Sequence, residues 1–212
     1  MRSWKSMSFF ALQMLALTGL MAIAIRCVDS GTATLDRTSA TQPASHPSSL
    51  PADPNDAKLL HNPRIVVEKS KHLLTVFEDG RLVKSYAVII GSGKGDKVRE
   101  GDRCTPEGEF YVCVKNSQSK YVLSLGLSYP NIEDAQRGLR DKLISKAQYN
   151  EILQAIRTKG APPWKTPLGG EIMIHGCRNG RDTTLGCVAV DNPEIEELFQ
   201  ALPLKTIVEI KP

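Results

Sequence analysis

Residues 171–192 read EIMIHGCRNGRDTTLGCVAVDN, and they predict two short strands. One apolar run ends on His175 and Gly176, and a second begins directly after Cys187. Short apolar runs bounded by glycine and polar residues are typical of buried strands, which makes the polar residues 178–182 the loop between them. An imidazole and a thiol would therefore meet where two strands end.

A cysteine beside a histidine can carry out nucleophilic catalysis. The thiolate is the reactive form, and a nearby imidazole removes the thiol proton and lowers a pKa that starts at about 8.5. Cys187 is thus the candidate nucleophile and His175 the candidate base. Gly186 leaves room for a carbonyl to approach, and the backbone N–H groups around it are candidates to hold an oxyanion. No acidic residue is placed to orient the imidazole, so a backbone carbonyl near Gly176 is the candidate for that role.

The same residues also have simpler interpretations. A histidine and a cysteine in one chain are most often a core pair or half of a disulfide, and spacing alone does not exclude this. A zinc site made of His175, Cys177 and Cys187 lacks a fourth ligand at a plausible spacing, which argues against a metal.

Outside this stretch, β-branched runs predict a β-meander at the start of the folded module. Glu78-Asp79-Gly80 is the turn between its second and third strands. Residues 91–95 lack the spacing of a phosphate-binding loop and are interpreted as a flexible loop. Residues 105–110 predict a hairpin leading into a further strand. The strands are predicted at residues 64–68, 72–77, 82–90, 110–114 and 206–210.

Capping residues and helical spacing predict three helices. The first covers residues 132–138. Ser145 caps an amphipathic stretch, residues 148–159, whose apolar residues are expected to face the core. Asp191 caps the third, residues 192–202. The 16 glycines and 13 prolines, beside only 6% aromatic residues, favour a strand-rich domain over a helical bundle.

Taken together, these segments resemble the L,D-transpeptidase catalytic domain family, whose members are exported bacterial enzymes acting on peptidoglycan. The resemblance rests on His175-Gly176, on Gly180 to Asn192 with its Thr-Leu-Gly-Cys motif, on Gly101 to Phe110 and on Leu123 to Asn131. It covers nearly the whole module from Arg64 to Ile210. It implies a mainly β fold, a sandwich or barrel-like sheet with a few short helices.

The resemblance implies an L,D-transpeptidase with Cys187 as nucleophile, His175 as base, and no cofactor or metal. In such enzymes the thiolate attacks the carbonyl of meso-diaminopimelate in a peptidoglycan tetrapeptide stem, expels the terminal D-alanine and passes the acyl group to an acceptor amine. The acceptor is another stem or a lysine of an envelope lipoprotein, and the process serves cell wall biogenesis and cell shape. A peptidoglycan hydrolase or amidase with the same site, and a non-catalytic peptidoglycan-binding module, are the alternatives.

The chain departs from the most familiar family motif at three points. Leu185 stands where many members have a second histidine, Val188-Ala189 replaces a hydrophobic residue followed by arginine, and the interval from histidine to cysteine is shorter. The acceptor is therefore left open. The candidate substrate-binding residues are Arg181, Thr184 and Tyr129. Loop arginines are more often solvated, and a core tyrosine bonded through its hydroxyl is the alternative for Tyr129.

The chain has five cysteines. With Cys27 near the N-terminus and Cys187 required as a free thiol, Cys104, Cys113 and Cys177 are left, so at most one bridge forms among them. Cys177 is a disulfide partner, a resolving thiol or, in the favoured interpretation, a small buried side chain.

Residues 1–28 predict an export signal or a membrane anchor, with two basic residues before the apolar stretch 9–25. Residues 29–61, rich in Ser, Thr and Pro, predict a disordered linker, and residues 62–212 form the catalytic module. The module is expected in the periplasm or cell envelope, with membrane contact only through the N-terminal segment. With 27 basic and 23 acidic residues and no basic run among aromatics, nucleic-acid binding is not predicted.

Overall fold

The computed structural model describes residues 59–178 and 180–212. Its strands are β1 (Pro63–Glu68), β2 (Leu73–Glu78), β3 (Arg81–Ala87), β4 (Gly108–Ser119), β5 (Val122–Leu127), β6 (Met173–His175), β7 (Val188–Ala189) and β8 (Ile207–Lys211). Its α-helices are α1 (Ile132–Arg140), α2 (Lys146–Arg157) and α3 (Asn192–Ala201). The strands form one sheet in the order β3-β2-β1-β8-β4-β5-β6-β7. The predicted class, mainly β with a few short helices, is confirmed.

The predicted β-meander forms one end of the sheet. Asp79 and Gly80 both have positive φ, 49° and 76°, as a tight two-residue hairpin turn requires. The C-terminal strand β8 lies parallel to β1, with Val208 opposite Ile65, and antiparallel to β4. It therefore joins the meander to the strands that carry the candidate site.

The sheet curls until its two ends touch. Ile89, just after β3, bridges to Ala189 of β7, and the two residues exchange backbone hydrogen bonds of 3.0 and 2.9 Å. The Thr184 N–H donates to the Ile90 carbonyl at 2.8 Å. Because β7 is only two residues long, these bonds to its outer edge are needed to fix its position and to satisfy its backbone groups.

The main core lies on the inner face of the curled sheet. In β1, Ile65 and Val67 are fully buried, whereas Arg64 between the strand's buried positions is exposed. Ile195 and Leu198 of α3 pack into the same core. A second, smaller cluster holds α1 and α2 together and consists of Ala135, Ile144, Ile152 and Leu168, with Leu139, Tyr149, Leu153 and Ile156 at its margin.

All three predicted helices are present, each shifted by at most two residues at either end. Asn131 caps α1 and Ser145 caps α2, and each forms reciprocal hydrogen bonds with the third residue of its helix. Asp191 is the N-cap of α3, as predicted, with Pro193 in the first turn. These helices follow from short-range chemistry, which explains why the sequence predicts them well.

One strand prediction is wrong and one strand is missed. The segment before Gly108 is irregular, and β4 pairs with β5 and β8, so the hairpin predicted within residues 105–110 is wrong. The hairpin partner of β4 is the following strand. The sequence does not predict β5, because Ser124 and Gly126 interrupt its apolar pattern. Both residues lie between β4 and β6 in the interior of the sheet.

The predicted export segment and most of the predicted linker, residues 1–58, lie outside the described residues. The last part of that linker is ordered, because Leu60 is buried and its N–H donates to the Ala201 carbonyl at 2.9 Å. Among the described residues, no helix is both long enough and apolar enough to cross a membrane.

Candidate active site

The two candidate catalytic residues lie beside each other's strands, because His175 ends β6 and Cys187 directly precedes the parallel neighbour β7. In the β6–β7 pair, Ile174 is opposite Val188 and His175 is opposite Ala189. Paired residues share a face and side chains alternate along a strand, so continuing the alternation of β7 back by one residue would set Cys187 on the face of His175. The two residues are offset by two strand positions, which is about 7 Å along the sheet. The register of β6 and β7 thus places His175 and Cys187 on adjacent segments of the sheet.

His175 is held by the backbone of the next residue. Its side chain is 5% exposed, and its Nδ1 lies 2.6 Å from the Gly176 carbonyl oxygen. A carbonyl only accepts hydrogen bonds, so Nδ1 carries the proton and Nε2 keeps the lone pair that a base needs. Burial lowers the pKa of His175 and outweighs the hydrogen bond to Gly176, and nearby Arg181 and Lys120 lower it further. The imidazole is therefore neutral at neutral pH.

The thiol of Cys187 lies against the beginning of β6. Its Sγ is 3.6 Å from the Glu171 carbonyl oxygen, and the Met173 amide donates toward the sulfur. Burial raises the pKa of Cys187, and the Met173 amide offsets only part of that rise. Without substrate the thiol and the imidazole are thus both neutral, so thiolate formation requires proton transfer to a base.

The turn before Cys187 has no room for a larger residue. Gly186 has a φ of 132°, and a Cβ there would lie 2.8 Å from the Cys104 carbonyl oxygen. The close approach of a neighbouring loop therefore requires glycine at this position. The Gly186 N–H donates to Thr184 Oγ1 at 3.0 Å, so it is already used in this state, and the Cys187 N–H is left as the candidate oxyanion donor.

Thr184 organises the same turn. Its hydroxyl donates to the Cys187 carbonyl oxygen at 2.6 Å while it accepts the Gly186 N–H. A hydroxyl used twice within the turn orders the backbone around the nucleophile. The sequence predicts Thr184 as a substrate-binding residue, and the structure shows this backbone role for its hydroxyl.

Sequence reasoning misses Tyr121, which covers the imidazole. Its ring is stacked on His175, with 4.3 Å between the ring centroids and 20° between their planes. Tyr121 lies at the turn between β4 and β5, and the antiparallel pairing of β5 with β6 brings that turn next to His175. A pairing between distant segments creates this contact, so no local pattern announces it.

The loop between the two strands is tied to α3 and its N-cap, and Asn192 Oδ1 of α3 accepts the Cys177 N–H at 2.7 Å. Arg178 forms an ion pair with Asp191, and its N–H donates to the Val190 carbonyl at 3.0 Å. Arg181, the predicted substrate-binding arginine, is exposed and lies over the Tyr121 ring, with its guanidinium carbon 5.7 Å from the ring centroid. It lies beside the base rather than in the core.

The sequence predicts Tyr129 as a substrate-binding residue, and the structure contradicts that prediction. Its side chain is 0% exposed, and its hydroxyl donates to the Leu168 carbonyl at 3.0 Å. Phe110 packs beside it, with 6.1 Å between the ring centroids. A fully enclosed ring with a satisfied hydroxyl cannot contact a substrate, so the core alternative describes this residue.

Four cysteines of the described chain are free: Cys104, Cys113, Cys177 and Cys187. Cys104 is buried, whereas Cys177 is only half-buried and has a positive φ of 62°. Burial raises the pKa of Cys113 to about 11, which leaves its thiol protonated and unreactive. Within the described residues, no group of three or more His, Cys, Asp or Glu side chains is placed to hold a metal ion.

The candidate cysteine and histidine thus lie at strand ends of a curled, mainly β sheet. Residues 62–210 match the model of the L,D-transpeptidase catalytic domain. The match covers more than half of the chain, and the chain belongs to this family. No curated protein matches the chain significantly.

Several solved structures resemble this chain. The helical cell shape determining protein Pgp2 from Campylobacter jejuni is 25% identical with a TM-score of 0.50, and a variant of it is 26% identical with a TM-score of 0.51; each match covers 71% of this chain and 48% of the other. Bd1075 from Bdellovibrio bacteriovorus is 25% identical with a TM-score of 0.47, covering 73% and 52%. The chain thus spans about half the length of these proteins.

Proposed function

We propose that this protein is an L,D-transpeptidase that acts on peptidoglycan tetrapeptide stems through a thioacyl intermediate on Cys187. The observation that carries the proposal is the position of His175, whose Nδ1 is fixed by Gly176 so that Nε2 is the basic nitrogen, at the end of β6, beside the strand β7 that Cys187 directly precedes. The family membership supports acyl transfer on peptidoglycan peptides.

The first half of the reaction forms the thioester. As substrate binds, the Cys187 thiol gives its proton to Nε2 of His175, and the sulfur attacks the carbonyl of meso-diaminopimelate. The Cys187 N–H stabilises the oxyanion. The bond to the terminal D-alanine then breaks, and the imidazolium returns the proton to the leaving amine. The neutral resting pair fits this sequence, because the base starts without a proton.

The second half passes the acyl group to an acceptor. His175 removes a proton from the incoming amine, the nitrogen attacks the thioester, and the Cys187 thiol is regenerated. The acceptor is a second stem, which gives a cross-link, or a lysine of an envelope lipoprotein. With water as acceptor, the same site trims the stem, so hydrolysis is the second candidate function.

A role in cell shape is part of this proposal. The similarity to Pgp2, a helical cell shape determining protein, supports it, and the sequence pattern of residues 1–28 supports export to the periplasm or cell envelope. Both trimming and cross-linking of stems alter the mechanical network that sets the shape of a bacterial wall.

The test is to incubate the protein with tetrapeptide muropeptides and to identify the products by mass. Cross-linked dimers with free D-alanine establish transfer, and tripeptide stems with free D-alanine but no dimers establish hydrolysis. Cys187→Ala should abolish both products, and Cys113→Ala, which removes an unreactive thiol, should abolish neither. Unchanged substrate with the unmodified protein, together with slow alkylation of Cys187, would favour the non-catalytic module.

The pH dependence has a defined sign. Burial lowers the pKa of His175, so the base stays unprotonated through neutral and mildly acidic pH, and the rate should fall only as the pH drops through that lowered value. A His175→Gln variant should be slower throughout and should lose this acidic limb. If His175→Gln keeps the same acidic limb, that limb reports the titration of a group other than His175.

A further inference from the structure

Two exposed cations lie next to the candidate base. The Lys120 Nζ is 5.1 Å and the Arg181 guanidinium carbon 5.7 Å from the centroid of the Tyr121 ring, which itself is stacked on His175. Both lower the pKa of His175, which places their charges within electrostatic reach of the imidazole. Lys120, Tyr121 and Arg181 come from the β4–β5 turn and the β6–β7 loop, so two distant segments build this group, here called the cationic shelf.

The charges of the shelf are uncompensated. Ion pairs are frequent in the rest of the described chain, yet within that part neither Lys120 nor Arg181 pairs with a carboxylate. Two cations held near one aromatic ring repel each other, and this cost is removed when an anion binds between them. A guanidinium and an ammonium together bind a carboxylate well, since one offers a planar fork and the other a mobile charge.

Tyr121 connects the shelf to the base through two contacts. Its ring stacks on the imidazole, and its carbonyl accepts the Gly176 N–H at 3.2 Å. The Gly176 carbonyl in turn holds Nδ1 of His175. Any displacement of Tyr121 therefore moves both the face of the imidazole and the group that fixes its orientation, which makes Tyr121 a positioning residue.

We propose that the cationic shelf is a binding site for a carboxylate of the peptide substrate close to the scissile bond, with Tyr121 as its rigid platform against His175. The proposal rests on the proposed function and adds the substrate chemistry that the site selects. A carboxylate bound there brings the peptide to the base and supplies the negative charge that the site lacks. Two carboxylates have this chemistry: that of the leaving D-alanine and the free one of diaminopimelate.

Alkylation of Cys187 tests the shelf without any turnover. Iodoacetate and iodoacetamide react alike, forming a bond from sulfur to carbon as iodide leaves, but only iodoacetate carries a carboxylate. The ratio of the iodoacetate rate to the iodoacetamide rate at Cys187 is measured by peptide mass mapping. It should fall about threefold to tenfold in the double variant Lys120→Gln and Arg181→Gln. Lys146→Gln with Arg157→Gln, two exposed cations of α2, is the matched control for net charge.

An unchanged ratio in the shelf variant, or an equal fall in the control, would overturn the proposal. This result is independent of catalysis, so it stands even if the unmodified protein processes no stem, in which case the proposed function fails by itself.

With active protein, amidated substrates identify the carboxylate. Each of the two carboxylates is amidated in turn. Compared with the unmodified protein, the shelf variant should have a KM about threefold to tenfold higher for the substrate with both acids free. For one of the two amides the variant and the unmodified protein should have the same KM, and the carboxylate blocked in that amide is the one that the shelf binds. If both amides respond like the free acid, no carboxylate is recognised.

The platform role of Tyr121 has its own readout. Tyr121→Leu should lower kcat about tenfold or more, because the imidazole loses its support, whereas Tyr121→Phe should restore it, because the ring and not the hydroxyl makes the contact. Equal activity of the two variants would contradict that role. Circular dichroism identifies loss of folding as a separate cause.

Discussion

The two loops that adjoin Cys187 are built in opposite ways. The first loop, residues 91–107, contacts the second loop, residues 176–186, through a bridge between Gly91 and Thr184. Three ion pairs hold the first loop, one of them within the loop and the others to Lys69 and to Arg137 of α1. Lys69 pairs with Glu107 at 2.7 Å, Lys97 with Asp102 at 2.8 Å and Arg137 with Asp96 at 2.9 Å.

The second loop has far fewer supports. Within its described residues, its side-chain anchors are the Arg178–Asp191 pair, the Asn192 side chain that accepts the Cys177 N–H, and the Thr184 hydroxyl, and Leu185 is 76% exposed beside the nucleophile. The braced loop determines where the backbone at Gly186 can lie, and the exposed loop is available to the substrate. The comparison teaches that rigidity and recognition are divided between two segments of one site.

The largest effect is expected at the buried pair of the first loop. Lys97 is 3% exposed and also donates to the Arg99 carbonyl at 2.9 Å. Lys97→Met should lower the free energy of unfolding by about 3–5 kcal/mol, because Asp102, whose side chain is only 10% exposed, is left without its counter-ion. Urea denaturation measures the loss. A loss below about 1 kcal/mol would show that the loop does not depend on this brace.

Acid should reduce the difference in stability between the unmodified protein and Lys97→Met. Burial by itself would raise the pKa of Asp102, but Lys97 and the amides of Arg99, Cys104 and Val98 hold it below its usual value. The stabilisation is therefore complete above the unfolded pKa and is lost as the pH falls through the lowered folded pKa. The gap between the unmodified protein and Lys97→Met should narrow between about pH 5 and pH 2. A constant gap would exclude the ion pair as its source.

The next effect separates two glycines. Both Gly186 and Gly180 have positive φ, 132° and 72°, but only the Cβ of an alanine at 186 would meet a backbone atom, the Cys104 carbonyl oxygen, whereas nothing lies within 4 Å at Gly180. Gly186→Ala should cost about 2–4 kcal/mol and most of the activity, and Gly180→Ala about 1 kcal/mol with activity retained. Thermal unfolding and the muropeptide assay measure both. Equal losses of stability in the two variants would mean that the first loop moves to make room for the alanine Cβ at position 186.

Local chemistry explains how much of this molecule the sequence predicts. The meander and the three helices follow from patterns a few residues long, such as the Asp79-Gly80 turn and the Ser145 cap. The family resemblance predicts the fold class, and the family match confirms it. The roles assigned to Cys187 and His175 stay predictions until activity is measured.

What the sequence does not predict depends on contacts between distant segments. Residues 91–95 read as a flexible loop, yet Lys69 donates to the Gly95 carbonyl at 2.6 Å across 26 positions. Tyr121 contacts His175 only because β5 pairs with β6, and Tyr129 is enclosed only because a later loop supplies Leu168. No pattern within a short window encodes such pairings.

A third effect tests the turn that the two loops share. Thr184→Val keeps the shape of the side chain and removes the hydroxyl that bonds Cys187 and Gly186. The expected loss is about 1–2 kcal/mol of stability, with slower alkylation of Cys187. Thr183→Val, at the exposed neighbouring position, should change stability by less than about 0.5 kcal/mol. Two equal losses would assign the effect to the substitution type rather than to the turn.

The smallest effect is expected at the anchor of the second loop. Arg178→Met removes an ion pair in which both side chains are about a quarter exposed, so the loss should be about 0.2–1 kcal/mol, several times less than for Lys97→Met. Because the Arg178 N–H still donates to the Val190 carbonyl, the loop should loosen without unfolding. Faster hydrogen exchange confined to residues 176–186, with residues 91–107 unchanged, is the expected signature. Exchange that rises in both loops would mean that they move as one unit. The distinction between a rigid first loop and an adaptable second loop would then be wrong.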